Sequence, residues 1–232
     1  MTEHDVPGSP AMIRTLAGIT VKRLTRGKAL WIGGLFAALP VLQAGIVHSW
    51  RFAFSPRELF VSSMLLLALL PAIFVGASVG EELEERTSTY LWSRPIARWA
   101  VLGGKLVALI PVVVVLGVGG WIAGNEVGGS ALPSLASCLG LAAGYVATSL
   151  VVAGIAVVVP RHGMALTIGY MLVDLFVGEM PFSLQQLALT YQTRALAGFT
   201  GDPAIGAPLI ALAVIAGIWT AVGVLRIRRL EV

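Results

Sequence analysis

The chain has 232 residues, of which 57% are hydrophobic and only 12% charged, with a mean hydropathy of +0.88. Soluble domains run at ~45–50% apolar and ~25% charged, so this balance excludes an ordinary cytosolic enzyme, and hydrophobicity this high also excludes disorder. The formal charge of +4 and the pI near 9.6 do not signal nucleic acid, because the basic residues flank hydrophobic runs instead of forming a polar stripe.

Residues 1–28 precede the first apolar run. Ser9-Pro10 supplies an N-cap and a first helical position. On a helical wheel Ile13, Leu16, Ala17, Thr20 and Leu24 share one face, with Arg14, Lys22 and Arg26 largely opposite. This pattern predicts a cytoplasmic N-terminus carrying an amphipathic helix along the inner leaflet; the alternative is a solvated basic segment that only enforces orientation.

A helix needs roughly 20 apolar residues to cross ~30 Å of hydrocarbon at ~1.5 Å per residue. Six windows qualify or nearly so: Ala29–Val47, Leu59–Val79, Val101–Ala123, Leu135–Val159, Met164–Met180 and Ile205–Leu225. They predict an all-α polytopic membrane protein with a six-helix transmembrane domain over 29–225 and a basic tail over 226–232. The first run is too long for a signal-peptide core and lacks a small-x-small cleavage site. Six crossings put both termini on one side, and thirteen of the sixteen Lys and Arg residues fall there, leaving only Arg51, Arg57 and Arg194 opposite. By the positive-inside rule that side is the cytoplasm, which places the chain in a plasma (inner) membrane.

Four of the twelve acidic residues, Glu81, Glu82, Glu84 and Glu85, fall within five positions after the second window, against the positive-inside trend. Arg86, Thr87, Tyr90, Leu91 and Trp92 follow, then Arg94, Pro95 and Arg98. Pro95 biases Arg94 toward extended geometry, so the pattern predicts a short helix from about Glu82 to Trp92, a break, and a new helix near Pro95. A short helix with charged ends and an apolar centre suits docking in a partner's groove; the plainer reading is a solvated loop whose glutamates pair with nearby arginines.

The run Glu82-Leu83-Glu84-Glu85-Arg86-Thr87, then Leu91-Trp92-Ser93-Arg94-Pro95-Ile96-Ala97-Arg98 and Gly104-Lys105, resembles the signature of ABC-2 type permeases, the membrane subunits of ABC transporters. Arg86, Trp92 and Ala97 depart from that family's usual glycine, leucine and serine. The resemblance implies a prokaryotic exporter subunit whose cytoplasmic coupling helix, here Glu81 to Arg98, receives motion from a separate ATPase. It implies two ATPase copies, which bind the ATP and Mg, and a second permease copy or paralogue. The chain itself shows no motor: Gly104-Lys105 has Trp99 where a P-loop needs its first glycine and Leu106 where it needs Ser or Thr. No cofactor is therefore expected on this chain. The turn Pro160-Arg161-His162-Gly163 is a candidate second ATPase contact through Arg161 and His162, or a tight connection whose arginine anchors orientation.

Asp174 lies mid-window, where a charged group costs about 2.5–3.5 kcal/mol on insertion scales, so it is expected to face protein or water. It is a candidate pathway residue together with Glu179, or else an interhelical hydrogen-bonding group. The segment 181–203, with Leu184, Leu187, Ala188 and Tyr191 at helical spacing, is expected to be a re-entrant or interfacial helix at the outer mouth. Gly120-x-x-x-Gly124 and Gly140-x-x-x-Gly144 predict close helix crossings within or between subunits. Pro40, Pro71 and Pro111 are candidate kinks.

Two other function classes compete. Gly76-Ala77-Ser78-Val79-Gly80 matches G-x-S-x-G, but a nucleophile elbow needs a strand-turn-helix setting and a base, and only His162 among the three histidines shares the side of Ser78. An ATP-independent channel or carrier would be expected to show inverted repeats or discontinuous helices, and neither is evident in the sequence. The lone Cys138 and the scattered histidines provide no disulfide and no metal constellation.

Overall fold

The computed structural model describes residues 9–50, 55–84, 98–181, 183–200 and 205–229. These residues form helices and turns, with no strand among them. In chain order they are α1 (Ser9–Arg26), α2 (Ala29–Ala37), α3 (Leu39–Ser49), α4 (Pro56–Pro71), a π-helical turn (Ala72–Gly76), α5 (Ala77–Glu84), α6 (Arg98–Val127), α7 (Leu135–Val158), α8 (Gly163–Gly178), α9 (Leu189–Leu196) and α10 (Gly206–Arg229).

Among the described residues five stretches are long and apolar enough to cross a bilayer: Ala29–Ser49, Pro56–Gly80, Trp99–Val127, Leu135–Val158 and Gly206–Ile227. Large apolar side chains such as Leu35, Leu42, Val115, Leu139, Ile210 and Ile218 stand exposed along them, a surface suited to lipid and unsuited to water. The architecture is compatible with an integral membrane protein. The fifth predicted window behaves differently. Its helix, α8, has 16 residues and reaches about 24 Å at ~1.5 Å per residue, short of the ~30 Å core. It stops at Gly178, where the Glu179 and Met180 amides close a turn on the Phe176 and Val177 carbonyls.

The two proline sites in the first two stretches act where the chain is least regular. Pro40 is the second residue of α3, and Ala38 separates α2 from α3, so the first apolar stretch is two helices joined end to end. This discontinuity was not evident in the sequence; a proline supplies no N–H to the preceding turn, and the helix restarts around it. Pro71 ends α4 and the π-helical turn follows at once. Pro111 lies within α6, whose 30 residues continue through it. The start of α4 carries a capping box: Ser55 Oγ accepts from the Arg57 amide, Glu58 Oε2 accepts from the Ser55 amide, and Pro56 occupies the first turn.

The stretch α4–α5 and helix α7 form the most buried part of the bundle, with α2–α3, α6 and α10 outside them. Small residues set the spacing. A Cβ on Gly154 of α7 would lie 2.6 Å from the Trp219 carbonyl oxygen of α10. One on Gly140 would lie 2.6 Å from the Ala197 nitrogen just after α9, and Gly144 abuts Thr193 of α9. Gly120 and Gly124 of α6 admit the backbone of Ala37 and Pro40 at the α2–α3 junction. Both G-x-x-x-G pairs therefore serve crossings within this chain, as expected where close backbone approach holds helices together in lipid.

Helix α1 buries the face read from the sequence, for Ile13, Leu16, Ala17, Thr20 and Leu24 are all buried or half-buried. What the upper part of that face meets is protein. Ile13, Leu16 and Ala17 pack on Gly103 and Gly104 of α6, and a Cβ on Gly104 would sit 2.8 Å from Leu16 Cβ.

Candidate functional site

Two polar regions stand out, one at each end of the bundle. The first gathers the C-terminus of α1, the end of α5, the start of α6 and the α7–α8 turn. Helix α5 continues the second apolar stretch without a break, so Glu81, Glu82 and Glu84 fall in its last turn; the rest of the short helix expected from about Glu82 to Trp92 lies outside the described residues. Most of the predicted coupling segment, Glu85, Arg86, Thr87, Tyr90, Leu91, Trp92, Arg94 and Pro95, lies outside the described residues. Arg98 opens α6.

Beside α5 runs the 3-10 turn Pro160–His162. A Cβ on Gly80 would lie 3.2 Å from the Pro160 carbonyl oxygen, so glycine is what allows this approach. Between them opens a groove of about 420 Å³, lined by Gly76, Ala77, Gly80, Arg161, His162 and Met164 among others, with Arg161 and His162 both exposed. The sequence proposed the acidic run and the Arg161–His162 turn separately as contacts; the structure brings the helix that carries the first three of those glutamates against that turn.

On another face of α5, Lys105 is buried, 6% exposed, and its ammonium donates to the Ser78 carbonyl oxygen. In the sequence Lys105 stands out as part of the Gly104-Lys105 pair and as one of the thirteen cations on the cytoplasmic side; the signal of its burial is a lysine one turn inside an apolar run, a position that requires a polar destination. Ser78 lies within a continuous helix and not in the strand-turn-helix setting that the G-x-S-x-G reading needs. Among the described residues no group of three or more His, Cys, Asp or Glu could hold a metal ion.

The second region is at the opposite end. Asp174, 6% exposed, accepts the Leu189 amide at Oδ1 (2.7 Å) and the Thr190 amide at Oδ2 (2.9 Å). These are the first two amides of α9, whose own N-cap position is Ala188 and has no capping side chain. The aspartate thus caps a helix fifteen residues downstream and meets its negative charge with the positive helix end. Arg194 from the last turn of α9 returns to α8, donating Nη2 to the Gly178 carbonyl oxygen at 2.6 Å and pairing through Nη1 with Glu179. The expected helix over 181–203 is a 3-10 turn, Ser183–Leu187, and then α9, which packs on α7, α8 and α10. Of the two candidate pathway residues, Asp174 faces protein and is bound at both oxygens, whereas Glu179 is exposed. Arg194 was missed because its partners lie far from it in sequence.

A third feature is an apolar groove of about 490 Å³ between α3 and α4, in which Gln43 and Ser62 are the polar members. It adjoins the break in the first stretch at Pro40.

No family model matches the chain, and no curated protein matches it.

Proposed function

We propose that this chain is the permease subunit of an ABC-2 type transporter, an exporter half that pairs with a second permease copy or paralogue and with two separate ATPase subunits. In this reading the five long apolar stretches and α8 make six crossings of a prokaryotic plasma membrane, the basic end faces the cytoplasm with both termini, and ATP and Mg are bound by the partner. The observation that carries the reading is the packing of α5, which feeds the acidic run, against the Pro160–His162 turn beside an open groove. A force applied there by a partner acts on α5, and α5 is continuous with the π-helical turn and α4. A π-helical turn is a common point of adjustment at functional sites. Motion at the handle is thereby delivered to the most buried element of the bundle. The motif at Glu82–Arg98 supplies the family, and a chain this small would need a second copy to enclose a path. ATPase contacts would be Glu81, Glu82, Glu84, Glu85 and the segment through Arg98, with Arg161 and His162 as the adjoining contact.

Co-expression with an ABC ATPase encoded in a neighbouring reading frame, followed by purification through a tag on this chain, tests the proposal. The ATPase should co-purify with wild type and be lost from the Glu82→Lys/Glu85→Lys double variant, which should still insert in the membrane. Undiminished retention in the double variant, or solute movement by the chain with no ATPase present, overturns it. One observation favours a second reading, an ATP-independent carrier: the first stretch is discontinuous beside the Gln43 groove, and broken helices commonly frame carrier sites. ATP dependence of transport separates the two.

A further inference from the structure

The groove between α3 and α4 follows from how α3 is held. Gly120 and Gly124 of α6, with Gly128 just past its end, form a row of small residues against Ala37, Pro40 and Ala44, so α3 packs on α6 far more than on α4. The space left on the α4 side is about 490 Å³, within the ~300–1,000 Å³ range of small-molecule sites. Its walls are Leu39, Leu42 and Ile46 from α3 and Leu65 and Leu66 from α4. Leu42, Ile46 and Leu65 are exposed, so the groove opens sideways, toward lipid in a bilayer.

One polar side chain from each helix lines the groove, and the two lie at the same depth. Gln43 precedes Ser49, the last residue of α3, by about 9 Å and Ser62 follows Pro56, the first of α4, by about 9 Å, at ~1.5 Å per residue. At that depth a bilayer supplies no water to hydrogen-bond. Ser62 is provided for within its own helix, since its hydroxyl donates to the Leu59 carbonyl oxygen at 2.8 Å. Gln43 is not: its half-buried amide meets no hydrogen-bond partner among the described residues. A glutamine carries two donors and an acceptor, costly to leave unpaired in apolar surroundings, and it is too short to reach the interface as lysine and arginine do. We propose that the groove binds a lipophilic solute with a hydroxyl or carbonyl group on its apolar body, that group hydrogen-bonded to the Gln43 amide and the aliphatic walls covering the rest. An acyl chain alone would fit the walls and leave the amide unpaired, and the polar atoms of a phospholipid stay at the headgroup level above it. The solute enters from the lipid. The proposal depends on membrane insertion and not on any ATPase.

The test uses the full chain in phosphatidylcholine nanodiscs, photolysed with a long-chain ketone that carries a diazirine, with the matching alkane as comparison probe. Peptide mass spectrometry should place the ketone adducts on 39–47 and 62–66, about tenfold above those on 209–214 of α10, where Leu209, Ile210 and Val214 are also exposed. Gln43→Leu removes the amide and keeps an apolar side chain of similar size. Ketone adducts in the groove should then fall about tenfold, as for the loss of one hydrogen bond in apolar surroundings, while the alkane adducts stay as they were and show that the groove is intact. Leu65→Trp should fill the groove and remove the adducts of both probes from it. Ketone labelling as strong on 209–214 as in the groove means ordinary lipid contact and overturns the site, as do groove adducts that persist in Leu65→Trp. Ketone adducts undiminished by Gln43→Leu overturn the assignment of the ligand.

Discussion

Asp174 and Thr190 are sixteen positions apart in the chain and joined twice: the Thr190 amide donates to Asp174 Oδ2 at 2.9 Å, and Thr190 Oγ1 donates to the Asp174 main-chain oxygen at 3.2 Å. The pair fastens α9 to α8 at the end of the bundle opposite the Pro160–His162 turn. Since Ala188 offers no cap of its own, α9 depends on a distant carboxylate for the amides that a local serine or aspartate would otherwise satisfy.

Asp174→Asn should therefore destabilise the protein although it removes no atom count from the core. The amide group presents an NH2 where the helix presents N–H, and one of the two contacts becomes donor against donor. A buried donor left unsatisfied costs about 1–3 kcal/mol, and the thermal midpoint should fall accordingly. Hydrogen exchange locates the effect: the Leu189 and Thr190 amides should lose protection while those in the middle of α7 keep theirs.

The second fastening is unequal between its partners. Glu179 is 61% exposed at its side chain and Arg194 only 13%, and the arginine also serves the Gly178 carbonyl. Glu179→Gln should cost little, since an ion pair with an exposed partner contributes about 0–1 kcal/mol. Arg194→Met should cost more, about 1–3 kcal/mol, because a helix-terminal carbonyl loses its donor. Thermal unfolding of the two variants at matched lipid content checks the order; equal losses would show that the ion pair and not the carbonyl contact is what holds α9.

The sequence made some of this legible and some not, for physical reasons. The packed face of α1 was readable because Ile13, Leu16, Ala17, Thr20 and Leu24 recur at helical spacing, a local property. Five long stretches were readable because length and apolarity are local too. The end of α8 was not: Val177, Gly178, Glu179 and Met180 read as a tapering apolar window, and what ends the helix there is the return of Arg194 and the cap given to α9. The break at Ala38 was visible only as Pro40, since a proline inside an apolar run also fits the continuous helix that Pro111 occupies. The convergence of α5 with the Pro160–His162 turn was likewise absent from the sequence, because the two are joined only through tertiary packing at Gly80.

Glycine substitutions give the sharpest contrast between a packed and an open helix face. Gly154 and Gly169 are both helical, in α7 and α8. A Cβ on Gly154 meets the Trp219 carbonyl oxygen at 2.6 Å, a backbone atom that can yield only if α10 moves as a whole, whereas a Cβ on Gly169 meets nothing within 4 Å. Overpacking of this kind costs about 1–3 kcal/mol, so Gly154→Ala should lower the thermal midpoint clearly. Gly169→Ala should be neutral or stabilising by up to about 1 kcal/mol, the usual advantage of alanine over glycine inside a helix. A loss at Gly169 comparable to that at Gly154 would mean that the exposed face of α8 packs closely against another chain, and crosslinking through a cysteine placed at 169 would then capture that neighbour.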